Sequence, residues 1–178
     1  MATPAPAERR EELWKVSFET YYDSLFEEIT ADALITRWTS VDEVTKVLVM
    51  ITVSGSAVSG WALWNQPGYR MLWVILSGVA TLLSVVHTAL DIPGRIRTHA
   101  EDKRRFASLR TELETFRYIM RVQRDQFDVD QFTKEFLEYR KRYSENVQLV
   151  GNDIARTSRF EVKMQAEVDA RLKNETVQ

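Results

Sequence analysis

His87 and His99 are the two histidines of this chain, and there is no cysteine. The missing cysteines exclude disulfides, thiolate metal sites and a cysteine nucleophile. Neither histidine stands at metal-ligand spacing from the other, and no Glu-x-x-His pair of the kind that builds a di-iron bundle occurs. No glycine-rich phosphate loop is present. The sequence therefore assigns no catalytic residue, no cofactor and no metal, and the chain is not expected to be an enzyme. One titratable pairing stands out. In "HTALD", His87 and Asp91 lie at i and i+4 on one helix face. They read either as a proton-sensitive pair or as an ordinary histidine beside a helix-terminal carboxylate.

Hydroxyl side chains form the second constellation. Ser77, Thr81, Ser84 and Thr88 are spaced 4, 3 and 4 apart, one stripe on a helix. Thr52, Ser56 and Ser59, with Thr45, nearly share another face. Gly55 with Ser59, and Ser56 with Gly60, are small-xxx-small pairs that let two helices approach closely. Two readings stay open. The stripes hold helices together, or several hairpins assemble with one stripe lining a water-filled path.

The elements carrying these residues are unusually apolar. Arg70 is the single Lys, Arg, Asp or Glu between Val47 and Leu90. The 23 residues before it and the 20 after it are uncharged, and ~20 helical residues cover the ~30 Å core of a bilayer. "NQPGY" between them reads as a tight turn, flanked by Trp61, Trp64 and Trp73 as an interfacial aromatic belt. Ser40 with Glu43 reads as a capping box that starts the first span, and Pro93-Gly94 as the end of the second. The expected fold is an all-α membrane protein: a two-helix transmembrane hairpin over 41–92, with spans of about 44–64 and 71–91, between long cytoplasmic helices. Lys15, Arg37 and Lys46 precede the hairpin, and Arg95, Arg97, Lys103, Arg104 and Arg105 follow it. By the positive-inside rule both termini are cytoplasmic and the connector lies outside. A soluble bundle with one greasy hairpin is the competing expectation.

The flanks read as helices. Residues 1–7 are a disordered lead-in, and 8–40 form an amphipathic helix with Trp14, Phe18, Tyr21, Leu25 and Ile29 on one face. Its other face holds Glu12, Glu19, Asp23, Glu27 and Glu28, which suits packing on protein rather than on a membrane surface. A helix over 95–127, capped by Thr98 with Glu101, carries Phe106, Leu109, Leu113, Phe116 and Met120 at 3, 4, 3 and 4, an a/d seam for oligomerisation or for a bundle within the chain. One or more helices fill 128–173, starting at an Asp128 cap. Their seam runs through Phe132, Phe136, Tyr139, Tyr143, Val147, Val150 and Ile154. The net charge of -2 gives no footprint for nucleic acid.

This layout resembles the SLATT family of bacterial two-transmembrane effectors. The residues that carry the likeness are "FETYYDSLFEEI", the block Val47 to Leu90, "EDKRRFASLRTELETFR" and "FTKEFLEYRKRY". The resemblance implies an oligomeric effector in the bacterial inner membrane, belonging to a conflict or anti-phage system. It would permeabilise the membrane when triggered by a sensor protein or a nucleotide-signalling partner. The alternative is a non-conducting, membrane-anchored helical scaffold. Membrane lipid and further copies of the chain are the expected partners.

Overall fold

The computed structural model describes the backbone of residues 6–58, 67–123 and 128–176, and the side chains of 7–50, 71, 74–75, 78–123 and 128–174. Five α-helices follow one another: α1 Pro6–Val58, α2 Pro67–Ala89, α3 Ile92–Val122, α4 Val129–Leu149 and α5 Ser158–Thr176. The chain divides into two compact units. One is Ile35–Thr98, and the other joins the residues before it to those after it.

The transmembrane hairpin expected over 41–92 is not supported: among the described residues no helix is long and apolar enough to cross a membrane. α1 carries charge as far as Lys46, so its uncharged part, 47–58, is 12 residues long. At ~1.5 Å per residue that covers about 18 Å of the ~30 Å required. The pore-forming reading rested on those spans and is withdrawn. The inner-membrane placement and its orientation lose the spans from which they were counted. The expected turn and most of its aromatic belt, including Trp61 and Trp64, lie outside the described residues.

The helix boundaries also move. Ser40 does not start a helix. α1 runs through it, and Ser40 Oγ donates to the Thr36 carbonyl at 3.0 Å. Thr98 likewise lies inside α3 and donates to the Gly94 carbonyl at 3.0 Å. A hydroxyl in a continuous helix reaches its own i−4 carbonyl, and that bond replaces the cap. The break between α2 and α3 sits at Asp91, whose φ is 44°. Its Oδ1 accepts from the Gly94 amide at 3.3 Å and caps α3. A Cβ at Gly94 would stand 2.0 Å from the same carboxylate, so any other residue there would make the Asp91 side chain shift from its capping position. Asp128 caps α4 as expected, accepting from the amides of Asp130 and Gln131. The expected α4 seam is buried at Phe132 and Phe136 but is lost at Val147, which is 39% exposed; the helix ends at Leu149, and Ile154 is exposed beyond it.

The first and last parts of the chain make a four-helix core. Phe106, Leu109, Leu113, Phe116 and Met120 of α3 are at most 1% exposed. The oligomerisation seam is therefore closed within one chain and is not free to meet a second copy. α4 covers it with rings: Phe116 packs against Phe132, Phe136 and Tyr139 at 5.6, 6.2 and 5.5 Å between centroids. α5 contributes Phe160, Met164 and Val168 to the core. α1 contributes Tyr21, Leu25 and Ile29 as expected, but the face is turned. Phe18 is 41% exposed, whereas Leu13, Ser17 and Ser24 are buried. Two small serines on the inner face let α1 sit close. Their hydroxyls donate to the carbonyls of Trp14 and Thr20, so they enter the core without losing hydrogen bonds.

Ion pairs fix the register between helices. Arg110 Nε donates to Glu28 at 2.6 Å and Lys103 Nζ to Asp32 at 2.7 Å. Arg156 forks onto Glu27 at 2.8 and 2.9 Å and reaches Glu161 as well. These hydrogen bonds, Glu27 foremost, push the Arg156 guanidinium pKa up despite burial. Of the acidic face of α1, Glu27 and Glu28 pack on protein in this way, whereas Glu12, Glu19 and Asp23 are exposed. Truncating Phe116 to alanine should cost roughly 3–5 kcal/mol in urea unfolding, while Leu137→Ala, at an exposed α4 position, should cost less than about 0.5 kcal/mol.

Candidate functional site

In the Ile35–Thr98 unit, α1 and α2 run antiparallel, and a cleft of about 540 Å³ lies between Thr45, Val49 and Met50 of α1 and Ser84, His87 and Thr88 of α2. His87 does not pair with Asp91. Its Nε2 lies 2.8 Å from Asp42 Oδ1, across the helix pair. Asp91 is occupied as the α3 cap, which removes it from the face His87 occupies. Lys46 Nζ donates to the other Asp42 oxygen at 2.6 Å. The Lys46 hydrogen bond, followed by that of His87, holds the Asp42 carboxyl below the usual carboxylate range. Trp38 is buried, with the Arg95 guanidinium 5.2 Å from its ring centroid.

Of the α2 hydroxyl stripe, Ser84 and Thr88 line the cleft with Thr45, so this part of the stripe faces the helix pair. Thr88 Oγ1 donates back to the Ser84 carbonyl at 2.9 Å. Thr81 is exposed. The side chains of Ser77, Thr52, Ser56 and Gly55, and all of Ser59 and Gly60, lie outside the described residues. The small-xxx-small pairs are thus not placed.

Large apolar side chains stand exposed on the same unit, beside Glu43 and Lys46 on α1 and without a charged neighbour on α2 after Arg70. Val41, Val44, Val47 and Leu48 of α1 are each 42% exposed or more. On α2, Val74, Ile75, Val79, Leu82, Val85 and Val86 are 48–67% exposed. A Cβ at Gly78 would meet nothing within 4 Å, so another backbone could approach α2 there. Contiguous apolar exposure of this kind marks an interaction surface.

A second polar cluster, invisible in the pattern, is buried in the core of the other unit. His99 Nε2 lies 2.8 Å from Asp153 Oδ2, and its Nδ1 is 4.0 Å from Asp102 Oδ2. All three residues are less than 10% exposed. Asp153 also accepts from the Ala155 amide at 2.7 Å, so His99 fastens the α4–α5 connector to α3. Asp102 Oδ2 and Thr30 Oγ1 are buried with no hydrogen-bond partner. They border a space of about 10 Å³, close to the size one water needs. Burial pushes the Asp102 carboxyl up, against the pull of His99 and Arg105. Among the described residues, no group of three or more His, Cys, Asp or Glu is placed to hold a metal ion.

Compared with protein-family models, curated proteins and solved structures, the chain matches none.

The two aspartates should respond to acid in opposite senses. Asp42 has a lowered carboxyl, so its contribution to stability is present above the unfolded value and lost as pH falls through the folded one. Asp102 has a raised carboxyl, so its ionisation costs stability as pH rises from the unfolded value to the folded one. Urea midpoints followed from about pH 3 to 7 should show Asp102→Asn more stable than wild type near neutrality and Asp42→Asn less stable. A shift of the same sign in both variants would contradict these assignments.

Proposed function

We propose that the protein is a non-enzymatic helical effector module that works by associating with copies of itself through the Ile35–Thr98 unit. The observation that carries this reading is the apolar outer surface of that unit, on α1 from Val41 to Leu48 and on α2 from Val74 to Val86. Such a surface is covered by another apolar surface. α2 has no charged residue from Met71 to Ala89, so a charged partner would gain nothing there. Within this chain, the surface of matching chemistry is the unit itself, and a self-complementary patch is what a two-fold assembly requires. Open space at Gly78 gives such a contact a place for close helix approach. The element order resembles that of the SLATT effectors, which agrees with assembly as the working step in a bacterial conflict system. No residue is assigned a catalytic role.

Light scattering on the purified chain should give an oligomer at micromolar concentration. Leu82→Glu and Val85→Glu, placed on the exposed α2 surface, should shift it to a monomer with unchanged helical circular dichroism. A wild-type chain that stays monomeric, or that leaves the oligomer only to sediment with phosphatidylcholine vesicles, would overturn self-association and make lipid the covering partner.

A further inference from the structure

Interhelix cations of the core carry carboxylate partners: Lys103 has Asp32, Arg110 has Glu28, Arg142 has Glu112 and Arg156 has Glu27. Arg117 and Arg121 break this pattern. Neither has a carboxylate within ion-pair distance among the described residues. Arg117 is half-buried. Its Nη1 donates to the Trp14 carbonyl at 3.0 Å and to Ser17 Oγ at 3.2 Å, and among the described residues its Nη2 and Nε donate to nothing. Its guanidinium lies 4.0 Å from the Trp14 ring centroid and 4.9 Å from that of Phe18. Arg121, one turn on, lies 5.7 Å from the same Trp14 ring. The ring faces attract these cations but do not neutralise them. Burial, with the like charge of Arg121, pushes the Arg117 guanidinium down.

Both arginines line a groove of about 790 Å³ on the α1–α3 face, within the size range of small-molecule sites. Phe18 and Tyr118 line it too, 41% and 64% exposed, and offer flat apolar surface. Glu114 is also on the wall, but its carboxylate is turned to Arg110, 3.5 Å away. The Thr111 and Thr115 hydroxyls donate back to the carbonyls of Ala107 and Thr111, so the charged donors of the wall are the two guanidinium groups, beside the Tyr21 and Tyr118 hydroxyls.

We propose that this groove binds a small organic anion: a phosphate held by the Arg117–Arg121 pair, on a planar body lying against Phe18 and Tyr118. Two adjacent guanidinium groups suit a phosphate dianion better than a single carboxylate, because each fork donates two parallel hydrogen bonds. The bound anion would relieve both the repulsion between the arginines and the uncompensated charge of Arg117. This reading is independent of how the Ile35–Thr98 unit assembles.

Phenyl phosphate is the probe. Titrated into the full-length chain and followed by calorimetry and by the arginine Nε–H resonances, it should bind with a Kd of about 1 mM or tighter. Inorganic phosphate should bind about tenfold more weakly, and phenol should not bind at the same concentrations. Arg117→Gln and Arg121→Gln should each weaken phenyl phosphate about tenfold. Arg121 is exposed, so that variant keeps the test valid should Arg117→Gln fail to fold. Absence of phenyl phosphate binding, equal binding by phenol, or wild-type affinity in Arg121→Gln would overturn the proposal. Equal affinity for inorganic phosphate would overturn the aromatic half of it.

Discussion

The core rests on one requirement: the apolar stripe of α3 must be covered along its whole length. Its five large side chains, from Phe106 to Met120, are closed off almost completely. A single helix covers only part of a neighbour's circumference, so the covering is shared. α4 supplies rings, α5 supplies Phe160, Met164 and Val168, and α1 supplies a flatter face interrupted by serines. Burying a Phe or Leu side chain contributes roughly 1.5–3 kcal/mol, so this stripe is the largest concentrated source of stability in the unit. It also settles how the seam is used. A row of knobs spent on neighbours inside the chain cannot serve again as a coiled-coil interface between chains.

Charge then selects one arrangement among those that would cover the stripe. Glu27, Glu28 and Asp32 lie close together on α1, yet each meets a cation from a different place: Arg156 of the connector, Arg110 and Lys103 of α3. Sliding α1 by a turn would break all three at once and leave partly desolvated charges unpaired, which costs more than the pairs contribute. The same rule makes the exceptions informative. Asp102 and Thr30 keep unsatisfied oxygen atoms in the core, and Arg117 and Arg121 keep uncompensated charge at a groove.

Much of the helical layout was legible because it depends on period. The 3, 4, 3, 4 spacing of Phe106 to Met120 places them on one face whatever they meet, and Asp128 caps α4 through amides two and three residues away. What failed needed knowledge of the neighbours. Ser17 and Ser24 count as polar in any pattern, yet they are buried because a small hydroxyl can satisfy itself on its own helix. Ser40 and Thr98 do the same within continuous helices, so both apparent capping boxes were misread. His87 and His99 find their partners 45 and 54 residues away, beyond any local spacing rule. The uncharged block suggested membrane spans from its composition, but composition does not say where a helix starts. α1 begins far upstream and brings its charges with it.

The two units therefore pose opposite problems to solvent. One covers the apolar stripe of α3 and pairs Lys103, Arg110, Arg142 and Arg156 with carboxylates of other helices. The other leaves Val74, Ile75, Val79, Leu82, Val85 and Val86 of α2 about half exposed. Covering the remaining half of each would contribute roughly 0.8–1.5 kcal/mol, or about 5–9 kcal/mol for the six. Association costs an estimated ~4–15 kcal/mol in lost translational and rotational freedom. The α2 surface alone is thus at the margin, and the α1 surface from Val41 to Leu48 must be covered with it before an assembly becomes firm. In the proposed assembly a contact so balanced would form and dissociate with concentration, and a modest change in either surface would decide which state the chain occupies.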